Sequence, residues 1–115
     1  MPLAKLLPLT DVSEPPSPTT PALSADNAVD LARMLKAVAD PTRLRLISMV
    51  AAHDNAEACV CDLTEPLDLG QPTVSHHLKI LVGAGILSRD KRGTWAYYAL
   101  VPGALESVAQ RLLSV

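Results

Sequence analysis

A mainly α-helical domain with a β-hairpin wing, a winged helix-turn-helix, is the fold class this sequence predicts, and three observations predict it. The segment from Gly70 to Leu81 puts small hydrogen-bonding residues on one side of a short helix and a Val/Leu/Ile stripe on the other. After Gly85 the apolar period changes from helical to alternating, and strand formers flank Arg92-Gly93. Around these lie further segments of helical period. The order is helix, helix, helix, reader helix, hairpin, helix, in which the short helix, tight turn and reader form the helix-turn-helix and the hairpin is its wing.

Residues 1–24 separate from 25–115 by composition. The first region carries Pro2, Pro8, Pro15, Pro16, Pro18 and Pro21 with Ser and Thr between them, which favours a disordered tail. In the second, the expected DNA-binding domain, Ser24 suits the N-cap of a first helix. Val29, Leu31, Ala32, Met34, Leu35 and Val38 follow helical spacing along it. Asp40 can cap the second helix and Pro41 fits its first turn. Leu44, Leu46, Ile47, Met49 and Val50 form that helix's apolar side, with Arg43 and Arg45 turned away. His53 to Ala56 reads as a loop. A short helix is expected from about Val60 to Leu67, ending near Pro66, with Asp68-Leu69-Gly70 as the turn. The reader then runs from Gln71 to about Ala84, ended by Gly83 and Gly85. Leu87, Arg89 and Lys91 alternate with Ser88 and Asp90, Arg92-Gly93 turns, and Thr94 to Leu100 forms the second strand. Pro102 opens a last helix with Leu105, Val108, Ala109, Leu112 and Leu113 on one face.

The chain of 115 residues has the length of one domain. It is 49% apolar but has no Phe and one Trp, so the core must come from Leu, Val, Ile, Ala and Met. A domain this small gains from dimerisation. The net charge is −2, yet Lys79 to Arg92 holds Lys79, Arg89, Lys91 and Arg92 against Asp90 alone, a local +3 that suits a polyanion. Two cysteines one residue apart cannot build a multi-bridge secreted framework. No run reaches the roughly 20 apolar residues of a membrane span. Met1 to Thr20 is broken by Pro8 and does not read as a signal peptide. The expected place is the cytoplasm, where thiols stay reduced, and no membrane partner is expected.

On the reader, Gln71 can pair with adenine or phosphate, and Thr73 and Ser75 can reach phosphate or base edges. His76 and Lys79 lie three apart and share a face, whereas Val74, Leu78 and Leu81 belong to the core and His77 falls between. Arg89, Lys91 and Arg92 suit phosphate or minor-groove contact. The plain alternative, a merely solvated polar helix, is weakened by the basic wing beside it. Double-stranded operator DNA is the expected partner. His76 and His77 point about 100° apart on a helix and are poor joint ligands.

Cys59 and Cys61 are the chemistry-bearing pair. Thiolates select soft ions such as As(III), Sb(III), Cd(II), Pb(II) or Cu(I). Residues two apart on an ideal helix point about 200° apart, so a helix intact through both could not aim them at one atom. Chelation then needs a distorted first turn, which would shift this helix against the reader, and a ligand that prefers one conformation is what a switch requires. The alternatives are ordinary buried cysteines or a labile disulfide across a very small ring. Acidic neighbours Glu57, Asp62 and Glu65 disfavour a reactive thiolate, so no enzyme is expected.

Leu35 to Ile47, Cys59-Val-Cys-Asp-Leu63, Gln71 to Lys79, Gly85 to Arg89 and Arg92 to Tyr98 together resemble the ArsR/SmtB family of metal-responsive repressors, over roughly residues 28–113. The short helix is similar to that of the arsenic-responsive branch, which carries a Cys-Val-Cys-Asp-Leu motif. The resemblance implies a homodimer paired through first and last helices on a two-fold operator. It also implies As(III) or Sb(III) as inducer at Cys59 and Cys61, with no organic cofactor. The branch's third cysteine is replaced by Thr64, which leaves two thiolates plus water, hydroxide or a neighbouring oxygen; His53 and Asp62 are candidate third ligands. Asp68 stands where the family's turn often has Gly, and Gly70 where Ser often caps the reader. The last helix has no His and only Glu106 as an acid, against a Zn, Ni or Co site there. Cd/Pb or redox sensing by the same repressor, and a thiol metal-binding protein without DNA binding, are the competing readings.

Overall fold

The structure is a computed structural model that describes residues 21–115; of the region expected to form a tail, residues 1–20 lie outside the described residues. The Ser24 hydroxyl accepts from the Asn27 amide at 3.1 Å and opens α1 (Ala25–Val38). A cap of this kind satisfies an amide that has no carbonyl one turn back. Asp40 does the same for α2 (Pro41–Ala52), accepting from the amides of Thr42 at 2.9 Å and Arg43 at 3.1 Å. A 3-10 turn (Asp54–Ala56) follows, with Asn55 and Ala56 both at positive φ, and reverses the chain into β1 (Glu57–Cys59). Then come α3 (Val60–Leu67), α4 (Gln71–Gly83), β2 (Leu87–Arg92), β3 (Trp95–Leu100) and α5 (Ala104–Leu113). Asp68, at φ 56° and ψ 41°, ends α3 in the left-handed conformation that Asp tolerates. Gly93-Thr94 is the turn between β2 and β3, one residue later than the expected Arg92-Gly93.

The expected hairpin is one part of a three-stranded antiparallel sheet in the order β1-β3-β2. β1 pairs Glu57 with Ala99 and Cys59 with Tyr97, while β2 pairs Leu87 with Leu100 and Arg92 with Trp95. A strand of three residues is too short for an alternating pattern to declare itself in sequence.

The largest fully buried side chains are Leu46, Val50, Leu63, Val74, Leu78, Leu81, Ile86 and Leu87, drawn from α2, α3, α4, β2 and the turn before it. Tyr98 and Cys59 join them, so the core is not purely aliphatic. Five large residues expected on apolar helix faces are exposed instead: Val29 at 70%, Leu44 at 54%, Leu105 at 37%, Leu112 at 51% and Leu113 at 82%. Val29 lies two before Leu31, and Leu44 two before Leu46, about 200° around the helix from the buried stripe. Arg43, expected to turn away, is half-buried: its Nε donates to the Ala37 carbonyl at 2.5 Å and its Nη2 to that of Lys36 at 3.3 Å. It thus holds the carbonyl end of α1. Arg111 ties α5 to α1 through Asp30 at 3.1 Å.

Candidate DNA-reading face and thiol site

Val74, Leu78 and Leu81 are fully buried and set the rotation of α4. Their spacing leaves Gln71, Thr73, His76 and Lys79 exposed and Ser75 half-buried. Between α4 and the sheet runs a cleft of about 400 Å³ lined by Ser75, Lys79, Val82, Arg89 and Tyr98. Three of the expected DNA contacts from two elements therefore meet along one groove. Gly70 caps α4 without a side-chain hydrogen bond.

Lys91 is exposed on the wing, but its neighbour Arg92 is engaged. The Arg92 guanidinium donates to both Glu57 oxygens at 3.1 and 2.5 Å and to Asp90 at 3.0 Å. It also lies 4.7 Å from the centroid of the Tyr97 ring. The hydrogen bonds that Arg92 donates to Glu57, and then to Asp90, hold its proton even more firmly than usual.

His77, left between faces by its spacing, has its Nδ1 3.1 Å from Arg43 Nη1. Sequence reasoning missed Arg43, Glu57 and the third strand. Their partners lie 34 and 35 residues away, and no local period connects such positions. Asp40, beside Arg43, has its carboxyl held below the usual range, first by the Arg43 amide and further by the Arg43 and His77 charges.

Cys59 is buried and extended at φ −81° and ψ 152°, the N-cap of α3, while Cys61 is exposed in the first turn. The two sulfurs are bonded as a disulfide, and the Cys61 amide donates to Cys59 Sγ at 3.2 Å. The expected opposition of the side chains therefore does not arise. Only Cys61 is helical, so no turn has to be distorted to bring the sulfurs together. Asp62 closes the cap by accepting from the Cys59 amide at 3.0 Å. The ligand atoms of Cys59, Cys61 and Asp62 lie within 4.8 Å of one another, and His53 Nε2 is 3.5 Å from Asp62 Oδ2. Once the disulfide is reduced, two soft thiolates and an adjacent carboxylate suit a thiophilic ion that also takes an oxygen. Thr64 Oγ1 instead donates along α3 to the Val60 carbonyl at 3.5 Å.

Helices α1 and α5 present Val29, Leu105, Leu112 and Leu113 to the surface. A groove there is lined by Leu23, Asn27, Leu31, Gln110, Arg111 and Ser114. Among the described residues no helix is long and apolar enough to cross a membrane.

Residues 40–89 match the sequence model of the family described as bacterial regulatory protein, arsR family. An HTH-type transcriptional regulator of Methanocaldococcus jannaschii is 42% identical over 77 residues, which are 67% of this chain and 84% of that protein. The arsenical resistance operon repressor of Bacillus subtilis is 43% identical over 65 residues, 56% of this chain and 60% of the repressor. The homodimeric winged helix-turn-helix DNA-binding domain Mb0332 from Mycobacterium bovis superposes with a TM-score of 0.63 at 25% identity, covering 87% of this chain and 84% of that one.

Proposed function

Because this chain belongs to the ArsR family of bacterial regulatory proteins, which are DNA-binding transcriptional regulators and not enzymes, we propose that it is a homodimeric repressor. It holds double-stranded operator DNA until As(III) or Sb(III) binds Cys59 and Cys61. The observation that carries this reading is the position of both sulfurs at the start of α3, the helix packed on the reader α4. The likeness to an arsenical resistance repressor supports the choice of ligand.

In the reduced protein the Cys59 and Cys61 thiols each give a proton to a departing hydroxide of As(OH)3. Two S–As bonds form and two waters leave. Asp62 lies where its carboxylate can supply the third donor that Thr64 does not. Any ligand whose affinity differs between the DNA-bound and free conformations shifts DNA affinity by the same factor. On the DNA side, Gln71, Thr73, Ser75 and His76 face the major groove, while Lys79, Arg89 and Lys91 meet phosphates. The apolar faces of α1 and α5 pair the two copies.

The bonded sulfurs favour a second reading, in which oxidation is the signal. The two thiols then surrender two electrons and two protons to a small-molecule disulfide, which becomes two thiols.

Fluorescence anisotropy of the reduced protein on DNA from its own promoter tests both. Titration with As(III) should release the DNA while Zn(II) should not. The variant with Cys59→Ser and Cys61→Ser should bind DNA as before and ignore As(III). Release by Cd(II) alone changes the inducer, release by oxidised glutathione alone selects the redox reading, and failure to bind any promoter sequence overturns the repressor.

A further inference from the structure

We propose that Glu57 and Arg92 are positioning residues that tie the wing to the thiol pair: Glu57 holds the wing in its DNA-binding pose through Arg92, and capture of a ligand by Cys59 releases that hold. The proposal rests on the reading above that the signal arrives at Cys59 and Cys61.

β1 is three residues long, beginning with Glu57 and ending with Cys59. Alternation along a strand puts these two side chains on one face of the sheet. Their partners on β3, Ala99 and Tyr97, share that face. Arg92, the last residue of β2, reaches back across the Tyr97 ring and grips the Glu57 carboxylate with two nitrogens. One guanidinium thereby spans all three strands: its own, the ring on the middle strand and the carboxylate on the far edge. The planar fork makes the grip directional in a way that a lysine would not. The tip residues beside it, Lys91, Gly93, Thr94 and Trp95, are all exposed.

The position of Glu57 depends on the same short strand that carries Cys59. The Cys59 amide is in turn held by Asp62, the carboxylate nearest the sulfurs. A ligand that draws in Cys59, Cys61 and Asp62 thus pulls on the end of β1, and the pull reaches Glu57 two residues away. Arg92, bound to Glu57 and Asp90, is a strut within the wing and not a phosphate contact.

Four measurements on the full chain test this. Glu57→Gln keeps the size of the side chain and removes the ion pair. Its DNA affinity without ligand should fall by about tenfold, within the usual range of coupling between sites, toward that of As(III)-loaded wild type. As(III) should then add almost nothing, although thiolate absorbance on adding Cd(II) shows the pair still binding. Arg92→Lys, which keeps the charge and loses the fork, should behave the same way. The emission of Trp95, the single Trp, should shift when As(III) is added to wild type and stay put in both variants. Arg92→Gln should leave the salt dependence of DNA binding unchanged, whereas losing a phosphate contact lowers the slope by about one. A salt slope lowered by one, or a Glu57→Gln protein that As(III) still releases by the wild-type factor, overturns the proposal. Wild type that ignores every thiol ligand defeats instead the functional reading on which it rests.

Discussion

Asp40 shows how much one side chain can organise. Its carboxylate accepts two amides at the start of α2, and it sits beside the Arg43 guanidinium that closes α1 and reaches His77 on the reader. Its carboxyl is held below the ordinary value of 3.8, so the folded state favours the charged form. Stability from this cap is therefore fully present above that value and is lost as pH falls through the lower folded value. Thermal unfolding of Asp40→Asn and wild type should differ at neutral pH, with the variant melting lower. The difference should begin to shrink as the pH falls below about 3.8 and close once it passes the lower folded value, where the wild-type cap becomes protonated. Caps such as Ser24 and Asp40 were legible because their chemistry is local, an oxygen within three residues of an orphan amide. Arg43 was not legible, since the carbonyls and the histidine it meets are brought to it only by packing of α1, α2 and α4.

At the scale of elements, helices with a clear stripe were read closely: α3 is predicted and found at Val60 to Leu67, and α4 begins at Gln71 as expected. The strand β1 escaped because three residues carry no period, and that omission hid why Cys59 lies outside α3. The thiol pair itself was legible as chemistry, but its geometry followed from a strand that could not be foreseen. The reader's start leaves something to improve. Gly70 has ordinary extended angles, φ −70° and ψ 154°, and a Cβ there would meet nothing closer than a Pro72 atom at 3.7 Å. Gly70→Ser should fit and supply the missing cap. We expect a gain of a few tenths of a kcal/mol, read as a rise of about 2 °C in the melting temperature. A fall would show that the hydroxyl cannot reach the first turn of α4.

Among the described residues, the basic run and the exposed apolar side chains belong to different elements. The basic run of Lys79 to Arg92 serves the reader and wing, while the apolar residues of α1 and α5 that found no place inside lie together on another face. The sequence showed those residues as helix stripes. It could not show that no other described element covers them, because that depends on how the elements pack. Leu113, 82% exposed, is a sharp probe of that face. Leu113→Glu should sediment as a monomer where wild type sediments as a dimer. Its operator affinity should drop by about a hundredfold, since two linked half-sites bind far more tightly than one. A Leu113→Glu protein that remains a dimer would place the pairing surface elsewhere.

The edge position of β1 carries a last consequence. A three-residue strand paired on one side only is the kind of segment that opens locally without the rest of the molecule unfolding. Its amides should trade hydrogen for deuterium far sooner than those of buried α4. That difference turns the strand into a clock: an event at Cys59 that tightens or frays β1 becomes visible in the exchange rate of Ala58, one peptide away, before any DNA is added.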